Sequence, residues 1–90
     1  SGKISEAVGN EIVTLSQIRQ ILCITHSPQI AAKGRSHFKV QKSVRENSTE
    51  TEIRLLQTEE RITEISQLIS AGEITENSKI LAKELLIGNH

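Results

Sequence analysis

The stretch Thr25-His26-Ser27-Pro28-Gln29 holds the residues of this sequence best suited to chemistry. An imidazole between two hydroxyls can hydrogen-bond a terminal phosphate or hold a water in place. The apolar run Ile21-Leu22-Cys23-Ile24 leads into it, and Ser27-Pro28 turns the chain out of it. Such a run predicts a strand over residues 20–25 that delivers His26 at its carboxyl end. In open α/β sheets, ligands gather beyond the carboxyl ends of parallel strands. The plain structural alternative is a histidine that only braces the turn at Ser27. Other constellations fail on spacing. In a strand, Cys23 and His26 point to opposite faces, and no basic neighbour in sequence lowers the thiol's pKa, so Cys23 reads as a buried core residue. Cys23, His26, His37 and His90 lack the ligand spacing of a zinc site. The lone Gly-Lys pair, Gly2-Lys3, has no upstream glycine and is followed by Ile4 where a phosphate loop needs Ser or Thr. With no Asp anywhere in the chain, no aspartate can hold a nucleotide's magnesium.

The elements that must position His26 follow from periodicity. Ile4, Ala7, Val8, Ile12, Leu15 and Ile18 recur at helical steps, predicting a helix over 3–19. Gly9 interrupts that stripe at a cost of about 1 kcal/mol relative to Ala, which points to close packing there. The run 20–25 is apolar on both faces, as in a central parallel strand covered by helices. Pro28 suits the first turn of a short helix capped by Ser27 and stopped at Gly34. Residues 37–44 and 49–55 alternate in polarity around Arg45-Glu46-Asn47-Ser48, a β-hairpin pattern. Helical period returns over 58–71, with Glu59 and Glu60 in the favourable first turn and Gly72 as the stop. Thr75 caps a last helix carrying Ile80, Leu81, Leu85 and Leu86, closed by Gly88.

The expected fold class is therefore α/β, in the order helix, strand, short helix, β-hairpin, helix, helix. A lone strand apolar on both faces needs neighbours that one hairpin cannot supply. Residues 1–90 thus read as an incomplete domain, and its unpaired strand predicts self-association by sheet extension or swapping.

Composition narrows the function classes. Lysine plus arginine and the glutamates balance at eleven each, so net charge argues for neither nucleic acid nor membrane. Lys33, Arg35, Lys39, Lys42 and Arg45 form an acid-free stretch, but Phe38 is the only aromatic for stacking; a solvated face is the preferred reading. Glu59, Glu60 and Glu64 read likewise as a solvated helix flank. The single cysteine suits a reducing cytosol, and no apolar run approaches the ~18 residues of a membrane span.

The block Thr25-His26-Ser27-Pro28-Gln29-Ile30-Ala31-Ala32, followed by His37-Phe38-Lys39-Val40, resembles the carboxyl-terminal end of the RecN family. These are bacterial DNA repair proteins among the SMC-like, ABC-type ATPases. The likeness extends through Ala7-Val8-Gly9, Glu60-Arg61-Ile62-Thr63-Glu64-Ile65 and Ala82-Lys83-Glu84-Leu85-Leu86. Ser27 stands where leucine is more usual, and Ser70-Ala71-Gly72 replaces a more usual Leu-Gly-Gly. The resemblance implies the carboxyl-terminal part of an ATPase head. His26 would be its switch histidine, contacting the γ-phosphate of ATP held between two heads. Ser1 and Gly2 would be the remnant of the loop crossing that interface, and Gln29 a further residue near the nucleotide. ATP and Mg2+ would belong to the whole protein, whose phosphate loop, Walker B carboxylates and signature motif lie upstream; the 90 residues alone would be inactive. The implied partners are the rest of the head, a second head and DNA, in the cytoplasm at the nucleoid. A competing expectation is a small, non-enzymatic interaction module that recruits a partner along an exposed sheet edge.

Overall fold

The computed structural model describes residues 2–90. Its elements are α1 (Gly2–Ser16), α2 (Pro28–Ala31), β1 (Phe38–Arg45), β2 (Ser48–Leu55), α3 (Thr58–Ser70) and α4 (Glu76–Asn89). The architecture is α/β, with four helices and one antiparallel pair of strands among the described residues.

Local chemistry accounts for the element boundaries. Ser27 caps α2 through Oγ, which accepts from the Ile30 amide, and Pro28 supplies the fixed φ of a first helical turn. The hairpin pairs Phe38 with Leu55, Val40 with Ile53 and Arg45 with Ser48. That register leaves only Glu46 and Asn47 in the turn, both at positive φ (45° and 68°). Two left-handed residues define the type I′ turn, whose twist matches the flanking strands. α3 begins with a capping box in which the Glu60 carboxylate accepts from the Gln57 amide at 3.1 Å. It ends with Ala71 in the left-handed region (φ 53°), one residue before the expected glycine stop. Thr75 and Ser78 form the reciprocal cap of α4, and that helix runs through Gly88 to Asn89 rather than stopping there.

The expected strand over 20–25 does not form. Residues 20–27 carry no regular structure, and among the described residues no backbone–backbone hydrogen bond involves Gln20–Ile24. The reason is geometric: a strand exists only through its partners, and the hairpin pairs with itself. Leu22 and Ile24 are 87% and 96% exposed, and Cys23, expected in the core, is exposed as well.

Ala32, Ile65 and Ala82 form the centre of the core, with Ile62, Ile69, Leu85 and Leu86 packed around them. It lies where α3 meets α4 and where α2 lies on α3; α1 rests on α2. Three of the four helices thus meet near the end of α2, behind His26. The radius of gyration is 14.2 Å, above the ~12 Å of a fully compact chain of this length. That excess reflects a small core under large apolar faces, among them Phe38, Val40, Val44, Ile53 and Leu55 on one side of the hairpin.

Candidate functional site

Residues 25–33 behave as one hydrogen-bonded cassette. Thr25 Oγ1 accepts from the Ser27 amide at 2.9 Å, and Ser27 Oγ accepts from the Ile30 amide at 3.4 Å. The carbonyls of Ser27, Pro28 and Ile30 then accept from the amides of Ala31, Ala32 and Lys33. His26 sits at the front of this unit, exposed. Flanking hydroxyls fix the backbone on either side of it, so the imidazole is presented to solvent on a defined turn.

The back of the cassette is gripped from three helices. Lys33 has a side chain only 5% exposed, and its Nζ donates to Glu6 of α1 at 2.8 Å and to Asn89 of α4 at 3.0 Å. Arg61 of α3 is buried and donates through Nη2 to the carbonyls of Ala31 (3.0 Å) and Gly34 (2.8 Å). His90 Nε2 lies 2.9 Å from the Ala32 carbonyl. These contacts hold the carbonyls at the end of α2, which a helix leaves unpaired.

Helix α1 docks on this unit at two glycines. A Cβ on Gly9 would lie 2.6 Å and 2.7 Å from Lys33 Cδ and Cε; one on Gly2 would lie 3.3 Å from Gln29 Nε2. The two glycines are two helical turns apart on one face of α1, forming notches for Lys33 and Gln29. The helix-interior glycine at position 9 is thereby explained. Of the sequence-predicted site residues, Gly2 and Gln29 are thus neighbours. The Gln29 carboxamide also accepts from Ser27 Oγ at 3.2 Å, so it braces the turn. His26 makes no side-chain hydrogen bond among the described residues. Ser1 lies outside the described residues.

Electrostatics separate the buried cations from the solvated ones. Burial, and then the nearby Arg61 charge, push the His37 imidazole below its ordinary pKa, with Glu64 opposing. Burial lowers Arg61 as well. The Glu60 carboxyl is held below its usual range by the Gln57 amide and by Arg54, with which it forms an exposed ion pair. Lys39 pairs with Glu64 at 2.5 Å. The acid-free basic stretch is therefore not uniformly solvated, since its first member, Lys33, is buried between helices. Sequence reasoning passed over Lys33 and Arg61 as structural cations; Gly9 was the available signal, because a helix-interior glycine marks a close approach.

No group of three or more His, Cys or Glu side chains converges to hold a metal among the described residues. The cavity walled by Thr58, Arg61, Leu86, Ile87 and His90 adjoins the end of the cassette, whose carbonyls Arg61 and His90 contact. The site thus offers an exposed imidazole on a braced turn, without a set of metal ligands among the described residues.

Comparison with known proteins decides the family. The DNA repair protein RecN of Bacillus subtilis is 37% identical over 96% of this chain. That of Haemophilus influenzae is 40% identical over 96%, and that of Vibrio cholerae 39% over 97%. This chain belongs to the RecN family. It spans about 15% of the length of those RecN relatives. No family model matches the chain. The RecN likeness runs through all six elements, because at 96% coverage it includes both the His26 cassette and the α3–α4 pair that holds it. No helix among the described residues is long and apolar enough to cross a membrane.

Proposed function

We propose that this RecN segment serves DNA repair as the carboxyl-terminal part of an ATPase head, with His26 as the switch histidine of a composite ATP site. The observation that carries this reading is the exposed His26 imidazole at the front of a cassette whose backbone is fixed by Thr25 and Ser27. A group that contacts a γ-phosphate must be accessible, and it must be held in place before the nucleotide arrives. Electrostatic positioning supplies most of the catalysis in phosphoryl transfer. Gly2, beside Gln29, would lie at the end of the loop that crosses to a second head; Ser1 would belong to that loop as well. The chain's residues do not fit a magnesium site, so the metal and the rest of the triphosphate pocket would come from elsewhere in the head. DNA would be engaged by the whole protein.

The test is His26→Ala in an intact RecN protein carrying this segment. Nucleotide affinity should stay within about twofold, while steady-state turnover falls about a hundredfold, the scale of losing one positioned donor. Unchanged turnover would refute the assignment. A second reading, a protein-interaction module, draws on Gln20–Ile24, whose backbone is unpaired and whose side chains are exposed. Such segments accept an added strand from a partner. Under that reading, His26→Ala leaves turnover untouched while Ile24→Lys abolishes partner binding.

A further inference from the structure

We propose that Lys33 is a positioning residue for His26, tying the end of α4 to the segment that presents the imidazole. The inference rests on the switch-histidine reading. Its argument begins from burial: a lysine whose side chain is 5% exposed is unusual unless its ammonium is fully engaged. Here Nζ reaches Glu6 of α1 and Asn89 of α4, helices far apart in sequence. The lysine stem fills the notch at Gly9, so α1 cannot slide along α2 without expelling it. From Lys33 forward, the Ile30, Pro28 and Ser27 carbonyls and the Ser27 and Thr25 hydroxyls transmit a fixed backbone to His26. Asn89 is itself anchored, donating to the Leu85 carbonyl at 2.7 Å. A shift of the α4 end therefore moves Lys33, and with it the whole cassette, as a body. Surface lysines lack this property; Lys33 has it because its ammonium bridges α1 and α4 while its side chain is nearly buried.

The test compares Lys33→Met, Asn89→Ala and His26→Ala in an intact RecN protein carrying this segment, measuring nucleotide affinity and turnover separately. Methionine keeps the stem in the Gly9 notch and removes only the ammonium. Asn89→Ala removes one acceptor at a helix end and keeps the fold even where Lys33→Met fails to. The expected result is a turnover loss of about tenfold in either clasp variant, with nucleotide affinity within about twofold, as for a catalytic group displaced by a fraction of an ångström. Loss of turnover in His26→Ala alone, with both clasp variants at full turnover, overturns the role of Lys33 and leaves the switch-histidine reading standing. Affinity and turnover falling together in the clasp variants also overturns it, because that pattern reports general damage to the head. Unchanged turnover in His26→Ala overturns the reading on which the inference rests.

Discussion

The Lys33 clasp predicts an asymmetry between its two charged partners. Lys33 is nearly buried, whereas the Glu6 side chain is 47% exposed. Truncating Glu6 leaves an ammonium inside the protein with Asn89 as its remaining acceptor. A charged hydrogen bond of this kind is worth about 1.5–3 kcal/mol. Alanine's better helix propensity returns only a few tenths, so Glu6→Ala should cost about 2 kcal/mol. In Lys33→Met the buried charge itself disappears, the stem still packs on Gly9, and Glu6 relaxes into water. That variant should cost about 1 kcal/mol or less, because replacing buried charge by apolar side chain is often nearly neutral. The double variant should then be no worse than Lys33→Met alone. Urea unfolding of the 90-residue chain, followed by far-ultraviolet circular dichroism, measures all three. In thermal terms, 2 kcal/mol corresponds to roughly 8–16 °C in a domain of this size. Equal losses in the two single variants, or a larger loss in Lys33→Met, would refute the argument that burial of the ammonium sets the cost.

Four further outcomes follow from other features of the fold. Gly9→Ala should destabilise, since its Cβ collides with the tethered Lys33 stem at an overpacking cost of about 1–3 kcal/mol. Gly88→Ala, where nothing lies within 4 Å, should stabilise α4 by about 0.5–1 kcal/mol; unfolding midpoints of the pair decide it. The lowered pKa of His37 means that the unfolded chain takes up the proton first as the solution is acidified. Stability should therefore fall below about pH 6.5, and His37→Phe should flatten that part of the pH–stability curve. The unpaired Gln20–Ile24 segment should drive association of the isolated chain at micromolar concentration, with Ile24→Lys restoring a monomer; light scattering that finds only monomer in the unmodified chain would rule this out.

Much of the fold was legible because local signals and packing agree. Thr75, Glu59 and Glu60, and the leucine–isoleucine stripes marked α3 and α4, and alternation around Glu46-Asn47 marked the hairpin; the reciprocal Ser78 cap emerged only in the structure. The helix at the amino terminus was visible in its stripe, though its final turn frays after Ser16. The run 20–25 misled because periodicity reports what a segment would do with partners and cannot supply them. His26 was legible as a candidate through its neighbours Thr25 and Ser27, both of which do brace its turn. Lys33 was illegible for the opposite reason: the acid that neutralises it, Glu6, lies 27 residues away in sequence, so the basic run looked solvated. Only Gly9 hinted that something large crosses α1, without naming it.

The irregular segment Gln20–Ile24, between α1 and the cassette, also makes this chain divisible. Proteolytic clefts accept irregular backbone, and Arg19-Gln20 offers trypsin a bond at the start of the exposed run, where the Arg19 amide makes the last hydrogen bond back to Leu15. A single nick there would yield a 19-residue helical peptide and a 71-residue remainder carrying α2 to α4. Their contact includes the Gly2 and Gly9 notches and the Glu6–Lys33 pair, none of which crosses the cut bond, so the pieces should stay associated. The two pieces are therefore a natural complementation system, in which peptide variants added in trans would titrate the docking of α1 without refolding the rest.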